Sequence, residues 1–297
     1  MRIARVFPRR TNATPTDALA WALEFDKKGN PKWETAFPPL LAMPEIDEVH
    51  VSVTFTYDFR NAEILAKAWE IAGVPVKVGG PACNDRGGVF VPGMYVKPGH
   101  TMTSRGCNNN CWFCMVPKRE GRLRETSFCD GYDVLDSNLL QCTDDHVRKV
   151  FAMLARQERK PKFTGGLEAK CMKPWHCEEL RKLKPERLYC AYDTPDDYEP
   201  LVYAGRMLQD AGFTTASHVM ACYVLCGWRG DTMDKAEKRM REAWVAGFLP
   251  YAMLYKDENG ATDPAWKQFQ RAWLRPEIVT SKCGTLRVNG GTAAERI

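Results

Sequence analysis

The 297-residue sequence has no run of eighteen apolar residues, so no membrane-spanning helix is expected. It has no charged-then-apolar leader either, because Met1-Arg2-Ile3-Ala4-Arg5-Val6-Phe7-Pro8 breaks at once. A cytoplasmic protein with no membrane partner is the expectation. Charge of one sign is also scarce: 42 Lys and Arg against 37 Asp and Glu leave only +5, a weak argument for nucleic acid. Hydrophobic residues at 44% and charged residues at 27% exclude a disordered chain or a fibre. The length suits one large α/β domain, or a core with a small appendage.

Cysteine is what the sequence does have. Twelve thiols without a secretion signal favour metal ligation or free buried thiols over disulfides. Three of them crowd into Arg105-Gly106-Cys107-Asn108-Asn109-Asn110-Cys111-Trp112-Phe113-Cys114, a CxxxCxxC spacing. A structural zinc site usually pairs its ligands as CxxC with CxxC or HxxxH, and no second pair follows; Cys129 and Cys142 stand alone. Scattered core cysteines are the other plain explanation, yet cores rarely gather them in an Asn-rich loop after a glycine. Three thiolates can each hold one iron of a [4Fe–4S] cubane, whose full thiolate set is four, leaving the fourth iron open.

The CxxxCxxC loop with Phe113 just before its last cysteine resembles the signature of the radical SAM superfamily. That resemblance implies a [4Fe–4S] cluster on Cys107, Cys111 and Cys114, with S-adenosylmethionine chelated at the open iron. It also implies reductive cleavage of that cofactor to a 5′-deoxyadenosyl radical, a one-electron donor such as flavodoxin or ferredoxin, and a partial (β/α)6 barrel. The run Gly106 to Gly121 is similar to the cluster loop of the radical SAM methylthiotransferases, which modify transfer RNA or a ribosomal protein. Their pattern needs three cysteines in the N-terminal region, and this chain has only Cys83 there. A methylthiotransferase-like activity on RNA or protein is therefore an alternative. A nucleic-acid-binding protein with a Cys-ligated structural metal is the non-enzymatic rival.

Element patterns predict an α/β chain in three parts: an N-terminal half-Rossmann-like α/β domain (1–94), a core (95–257) and a C-terminal helical tail (258–297). In the first part, strands at Met1–Phe7, Glu48–Phe55 and Val74–Val78 flank a helix from Asn61 to Ala72, with a further helix start at Thr16-Asp17. No cobalamin is expected, because His50 and His100 lack the DxHxxG context of cobalamin-binding relatives. Asp85-Arg86-Gly87-Gly88 and Pro92-Gly93 read as a linker.

In the core, strands are expected at Tyr95–Ser104, Val134–Leu140, Lys162–Leu167, Arg187–Tyr192, His218–Cys226 and Tyr251–Tyr255. Helices fall between them, including Asp144–Gln157 with an Asp cap, Trp175–Leu183 and Thr232–Ala246. Six strands alternating with helices imply a parallel sheet curled toward a barrel. One Trp-rich helix and a glycine-containing tail follow Asn259.

Ligands of such folds gather at the carboxyl ends of the strands, which singles out particular residues. Asp136-Ser137-Asn138 resembles the DxN pattern of several radical SAM proteins, where Asp136 or Asn138 would accept from the cofactor ammonium; a capped strand-end turn is the plain alternative. Gly165 and Gly166 permit close backbone approach, and Glu168 would reach the ribose or the substrate; a simple turn accounts for them equally. Asp193 is a ribose partner or a helix cap. Val224-Leu225-Cys226-Gly227 resembles the segment whose backbone receives adenine, placing Cys226 and Gly227 at the cofactor, although the family's first Gly and its Glu are missing. Trp112 and Phe113 are a cover for the cluster or core anchors. Cys171, Cys177, Cys190, Cys222 and Cys226 match no ligand spacing and read as buried thiols. Lys118, Arg119, Arg122 and Arg124, like Arg181, Lys182, Lys184 and Arg187, have the chemistry for phosphate contact or for a solvated face.

Overall fold

The computed structural model describes residues 1–39, 41, 43–83, 90–257 and 259–284. The expected linker at 85–88 and the tail beyond 284 lie outside the described residues.

The first part holds β1 (Ile3–Phe7), β2 (Ala20–Ala22), a short antiparallel pair β3 (Glu24–Phe25) and β4 (Pro31–Lys32), then β5 (Glu48–Ser52), α1 (Phe59–Ile71) and β6 (Val76–Gly79). Four of these strands form a parallel sheet in the order β2-β1-β5-β6. Helix α1 buries Ala62, Leu65, Ala66 and Trp69, the i, i+3, i+4, i+7 stripe that a helix needs to cover a sheet. That stripe shares one hydrophobic cluster with Ala4, Val6, Val49 and Val51. The expected helix start at Thr16-Asp17 is instead a turn that feeds β2. The Asp17 carboxylate bonds the Leu19 amide and pairs with Arg5, so local side-chain bonding outcompetes a helical turn.

The second part runs β7 (Gly99–Thr101), a minor antiparallel pair β8 (Ser104–Arg105) and β9 (Arg124–Glu125) with α2 (Val116–Glu120) between them, then β10 (Gly131–Val134), α3 (Asp144–Ala155), β11 (Lys162–Phe163), α4 (Pro174–Leu183), β12 (Arg187–Ala191), α5 (Tyr198–Asp210), β13 (Met220–Cys226), α6 (Met233–Val245) and β14 (Leu249–Leu254). The six main strands form one all-parallel sheet in the order β7-β10-β11-β12-β13-β14, so sheet neighbours are also consecutive in sequence. Parallel crossovers are right-handed as a rule, and when they advance one strand at a time in one direction they put successive helices on the same face. Leu188, Cys190, Cys222 and Val224 accordingly share a core with Val147, Val150, Leu180, Leu201 and Met240 of the helices.

Several expected boundaries shift. The strand expected at Val134–Leu140 is Gly131–Val134; Leu139 to Gln141 form a 3-10 turn that buries Leu139 and Leu140, so their alternation reflects core burial without a strand. The first core strand is only Gly99–Thr101, because Pro98 and the left-handed Gly99 (φ 90°) keep the preceding segment irregular. Helix α3 is capped by Thr143, whose side chain accepts from the His146 amide, and the two aspartates expected to cap it lie in the first turn. The single C-terminal helix is two, α7 (Pro264–Ala272) and α8 (Pro276–Cys283), interrupted at Arg275-Pro276, where proline cannot continue the preceding helix. Phe269, Trp273, Val279 and Cys283 of this pair join the core of the second sheet.

Tyr57, just beyond β5, packs against Gly260 and carries Lys256 over its ring at 5.4 Å, so the carboxyl edges of both sheets meet there. No helix among the described residues is long and apolar enough to cross a membrane.

Candidate functional site

The residues expected to hold a cluster and cofactor all follow or end strands of the six-stranded sheet, at its carboxyl edge. The cysteine loop follows β7, Asp136 and Asn138 follow β10, Gly165 to Glu168 follow β11, Asp193 follows β12, and Cys226 and Gly227 end β13.

The loop is fastened at both ends. Gly106 (φ 84°) sits where an added Cβ would lie 2.3 Å from the Arg122 carbonyl oxygen, so only glycine fits. The buried Glu120 of α2 accepts from the Gly106 amide (3.0 Å) and Arg105 Nε (3.0 Å) on one oxygen, and from Arg119 on the other. Burial works against ionisation of Glu120, yet the Arg105 and Arg119 guanidinium groups outweigh it and hold the carboxyl below its ordinary range. Behind the loop, Asp136 takes the Thr103 amide on one oxygen and the Thr103 and Ser104 hydroxyls on the other, each at 2.6 Å. Burial pushes its carboxyl up against those three bonds. Asp136 thus anchors the segment entering the loop, and both its oxygens are engaged within the protein.

The Asn-rich stretch is held in the same way. Gln141 accepts from the Asn108 amide (2.9 Å) and donates to Asn109 Oδ1 (2.7 Å). Glu168 accepts from Asn109 Nδ2 (2.5 Å) and Asn138 Nδ2 (3.2 Å), and Asn138 also lies 3.6 Å from Cys107 Sγ. The Asn138 side-chain Oδ1 is buried with no partner among the described residues. Gly165 is pressed against the neighbouring strand end: a Cβ there would lie 2.1 Å from the Asp136 carbonyl oxygen. Gly166 (φ 99°) has open space before it.

The three loop thiols are half-buried and free. Burial pushes Cys111 up to about 11, and the charges of Cys114 and Cys107 add to that rise, a mark of their proximity. As the side chains stand, no three Cys, His, Asp or Glu among the described residues converge to hold a single ion. A cubane does not require that convergence, because each corner iron takes its own thiolate. The donor set fits such a cluster: three thiols on one fastened loop and amide donors beside them.

Other assignments divide. Asp193 is no helix cap, since Thr194 and Asp197 form that box; its carboxylate accepts from the Leu225 amide (3.1 Å), joining the ends of β12 and β13. Burial raises its pKa to about 7. The Cys226 thiol lies in the hydrophobic core, a Cβ on Gly227 would lie 3.0 Å from the Trp266 ring, and the Gly227 amide donates to Asp231. Phe113 is half-buried beneath Trp112, which is 59% exposed and touches Trp228 and Tyr255 at ring distances near 6 Å. Arg239 spans Asp231 and the Leu225 carbonyl under the Trp228 ring. Glu120, Gln141, Arg239 and Trp228 were not singled out by sequence. For Glu120, its place just before Gly121 at the end of α2 is a local signal that could have found it.

No protein-family model matches the chain, and no curated protein sequence matches it significantly.

Proposed function

We propose that the chain is a radical S-adenosylmethionine enzyme built on a partial (β/α)6 barrel. The observation that carries this reading is a fastened three-thiol loop at the carboxyl edge of a parallel sheet whose strands follow one another in sequence. Cys107, Cys111 and Cys114 would hold a [4Fe–4S] cluster with one iron open. When bound, that cluster supplies the electron that cleaves S-adenosylmethionine to a 5′-deoxyadenosyl radical.

The chain's own residues set up the rest. Asp136 holds the strand end that enters the loop, so the binding role at this turn falls to Asn138, whose orphaned Oδ1 is suited to accept from the cofactor ammonium. Its Nδ2, near Cys107 Sγ, and the bulk of Phe113 influence the potential of the loop thiolates. Glu168 fixes Asn109 and Asn138 and leaves one oxygen for a ribose hydroxyl. Asp193 stands at the next strand end, beside the Leu225 amide. A small one-electron protein such as a flavodoxin or ferredoxin is the natural reductant.

Anaerobic reconstitution tests the reading. The expected result is about four irons and four sulfides per chain, with 5′-deoxyadenosine released on reduction in the presence of S-adenosylmethionine. Absence of either result overturns it.

A further inference from the structure

Behind the cysteine loop runs a line of polar side chains that the radical chemistry leaves without a role. It starts at the surface with Glu125 of β9, whose side chain is 35% exposed, and its Oε2 lies 3.7 Å from His146 Nδ1 of α3. His146 Nε2 lies 3.1 Å from the Thr103 hydroxyl, and that hydroxyl lies 2.6 Å from Asp136 Oδ2. The inner members are sealed from water: His146 is buried, and Thr103, Ser104 and Asp136 are almost wholly so. The Phe128 ring packs edge-on against His146 at 5.7 Å.

The hydrogens of this line can run in either of two directions. With Asp136 ionised, the Thr103 hydroxyl donates to it and accepts from His146 Nε2–H, and a proton on Nδ1 faces the Glu125 carboxylate. With Asp136 protonated, its O–H donates to Thr103, Thr103 donates to a bare His146 Nε2, and the Nδ1 proton still faces Glu125. Both arrangements hold the same hydrogens. They interconvert when Asp136 gives its proton to the Thr103 oxygen while Thr103 passes its own to His146 Nε2; two O–H bonds break, and one O–H and one N–H bond form.

The surroundings keep both directions within reach. Burial pushes the Asp136 carboxyl up, whereas the Ser104 and Thr103 bonds and the charge of His146 draw it down. Burial opposes ionisation of Glu125, yet the Thr143 amide and hydroxyl and the charges of His146 and Lys149 hold it below its ordinary range. A counter-charge for an imidazolium is therefore in place at neutral pH. On the helix of His146, Asp144 pairs with Lys173, and Asp145 and Lys149 are exposed. Cys142, bonded to Ser104, is pushed up to about 11 by burial and brings no charge at neutral pH.

We propose that Thr103 and His146 form a proton relay between Asp136 and the surface at Glu125, a pH-sensitive device that adjusts the charge behind the cysteine loop. Negative charge gathered on the loop opposes a second negative charge on Asp136, and the relay delivers a proton that neutralises it. The relay stands on these side chains alone; its service to one-electron reduction rests on the radical-enzyme reading.

Solution NMR of the full chain with isotope-labelled aspartate and histidine, followed across pH, reads the relay directly. Groups that share protons titrate with common apparent midpoints, so the Asp136 carboxyl carbon and the His146 ring nitrogens should report the same pair. Thr103→Val removes the central hydroxyl and should leave each group a single midpoint of its own. His146→Gln should likewise leave Asp136 with one, and it decides the matter if Thr103→Val does not fold. Separate midpoints in the parent chain overturn the relay, and so does a shared pair that survives Thr103→Val.

Anaerobic redox titration of the reconstituted chain tests the service. Uptake of one proton per electron lowers the potential by about 59 mV for each tenfold fall in proton concentration, and Asp136→Asn should flatten that slope. A parent potential that does not move with pH overturns the delivery of a proton in response to charge, and so does a slope that Asp136→Asn leaves unchanged. A chain that takes up no iron sinks the radical reading, and the NMR titration then decides the relay by itself.

Discussion

The thiols of this chain live in two settings. Cys107, Cys111 and Cys114 stand on a half-buried loop gripped by amides and carboxylates, whereas Cys190 and Cys222 sit side by side on β12 and β13 with no exposure at all. Burial drives the strand thiols far above the ordinary cysteine range, so they act as small apolar groups filling space between sheet and helices. The loop thiols are reachable and backed by polar side chains. A cysteine count therefore says little until each thiol's surroundings are known.

The sharpest way to break that comparison is substitution. Cys107→Ala, Cys111→Ala or Cys114→Ala should abolish bound iron after reconstitution, while Cys171→Ala and Cys177→Ala should retain it. Iron and sulfide analysis of the five proteins decides, and a Cys171 variant as empty as the Cys111 variant would show that the ligands are misassigned.

A smaller effect probes the grip itself. Glu120→Ala leaves the Arg105 and Arg119 guanidinium groups without their carboxylate and frees the Gly106 amide. Breaking a fully buried pair costs about 3–5 kcal/mol. Arg105 and Arg119 keep 22% and 23% of their side-chain surface exposed and regain some hydration, so a loss of about 2 kcal/mol is expected. Urea unfolding at neutral pH measures it, and a midpoint equal to that of the parent chain would mean the clamp contributes nothing.

A further effect, confined to a pH window, concerns Asp193. Its folded pKa of about 7 lies above the ordinary carboxylate value of 3.8, so the folded chain holds a proton that the unfolded chain releases. The stability tied to that proton is fully present below about pH 4 and is lost as pH rises toward 7. Asp193→Asn should flatten the stability profile across that window. An unchanged slope in urea titrations between pH 4.5 and pH 7, on the order of the window just given, would remove Asp193 as its source.

Sequence made the sheet legible because β12, β13 and β14 are largely apolar runs between amphipathic helices. It misjudged Val134 to Leu140 because Leu139 and Leu140 are apolar for the sake of core burial in a 3-10 turn. The cysteine loop was legible because its three thiols are close together in sequence. Its supports were not: Glu120 lies 14 residues from Gly106, and Gln141 lies 33 from Asn108, distances over which no periodic pattern connects one polar side chain to another. Asp136 and Asn138 were located from sequence, but their different duties depend on which neighbour each faces. Thr103 and Ser104 occupy Asp136, and the Asn138 Oδ1 has no partner among the described residues.

Because sheet neighbours are consecutive in sequence, the order in which the chain is made matters to the loop. Cys107 to Cys114 leave the ribosome before any of their later holders. The Asp136 anchor arrives with the second strand and Glu168 only after the third, so a newly made loop stays loosely held until β11 has docked. Iron delivered earlier would meet three thiols on an unfastened segment, and iron delivered later would meet a shaped cradle. Assembly of a cluster on these thiols, as proposed above, would thus be a matter of timing as well as of affinity, with the third strand as the latch.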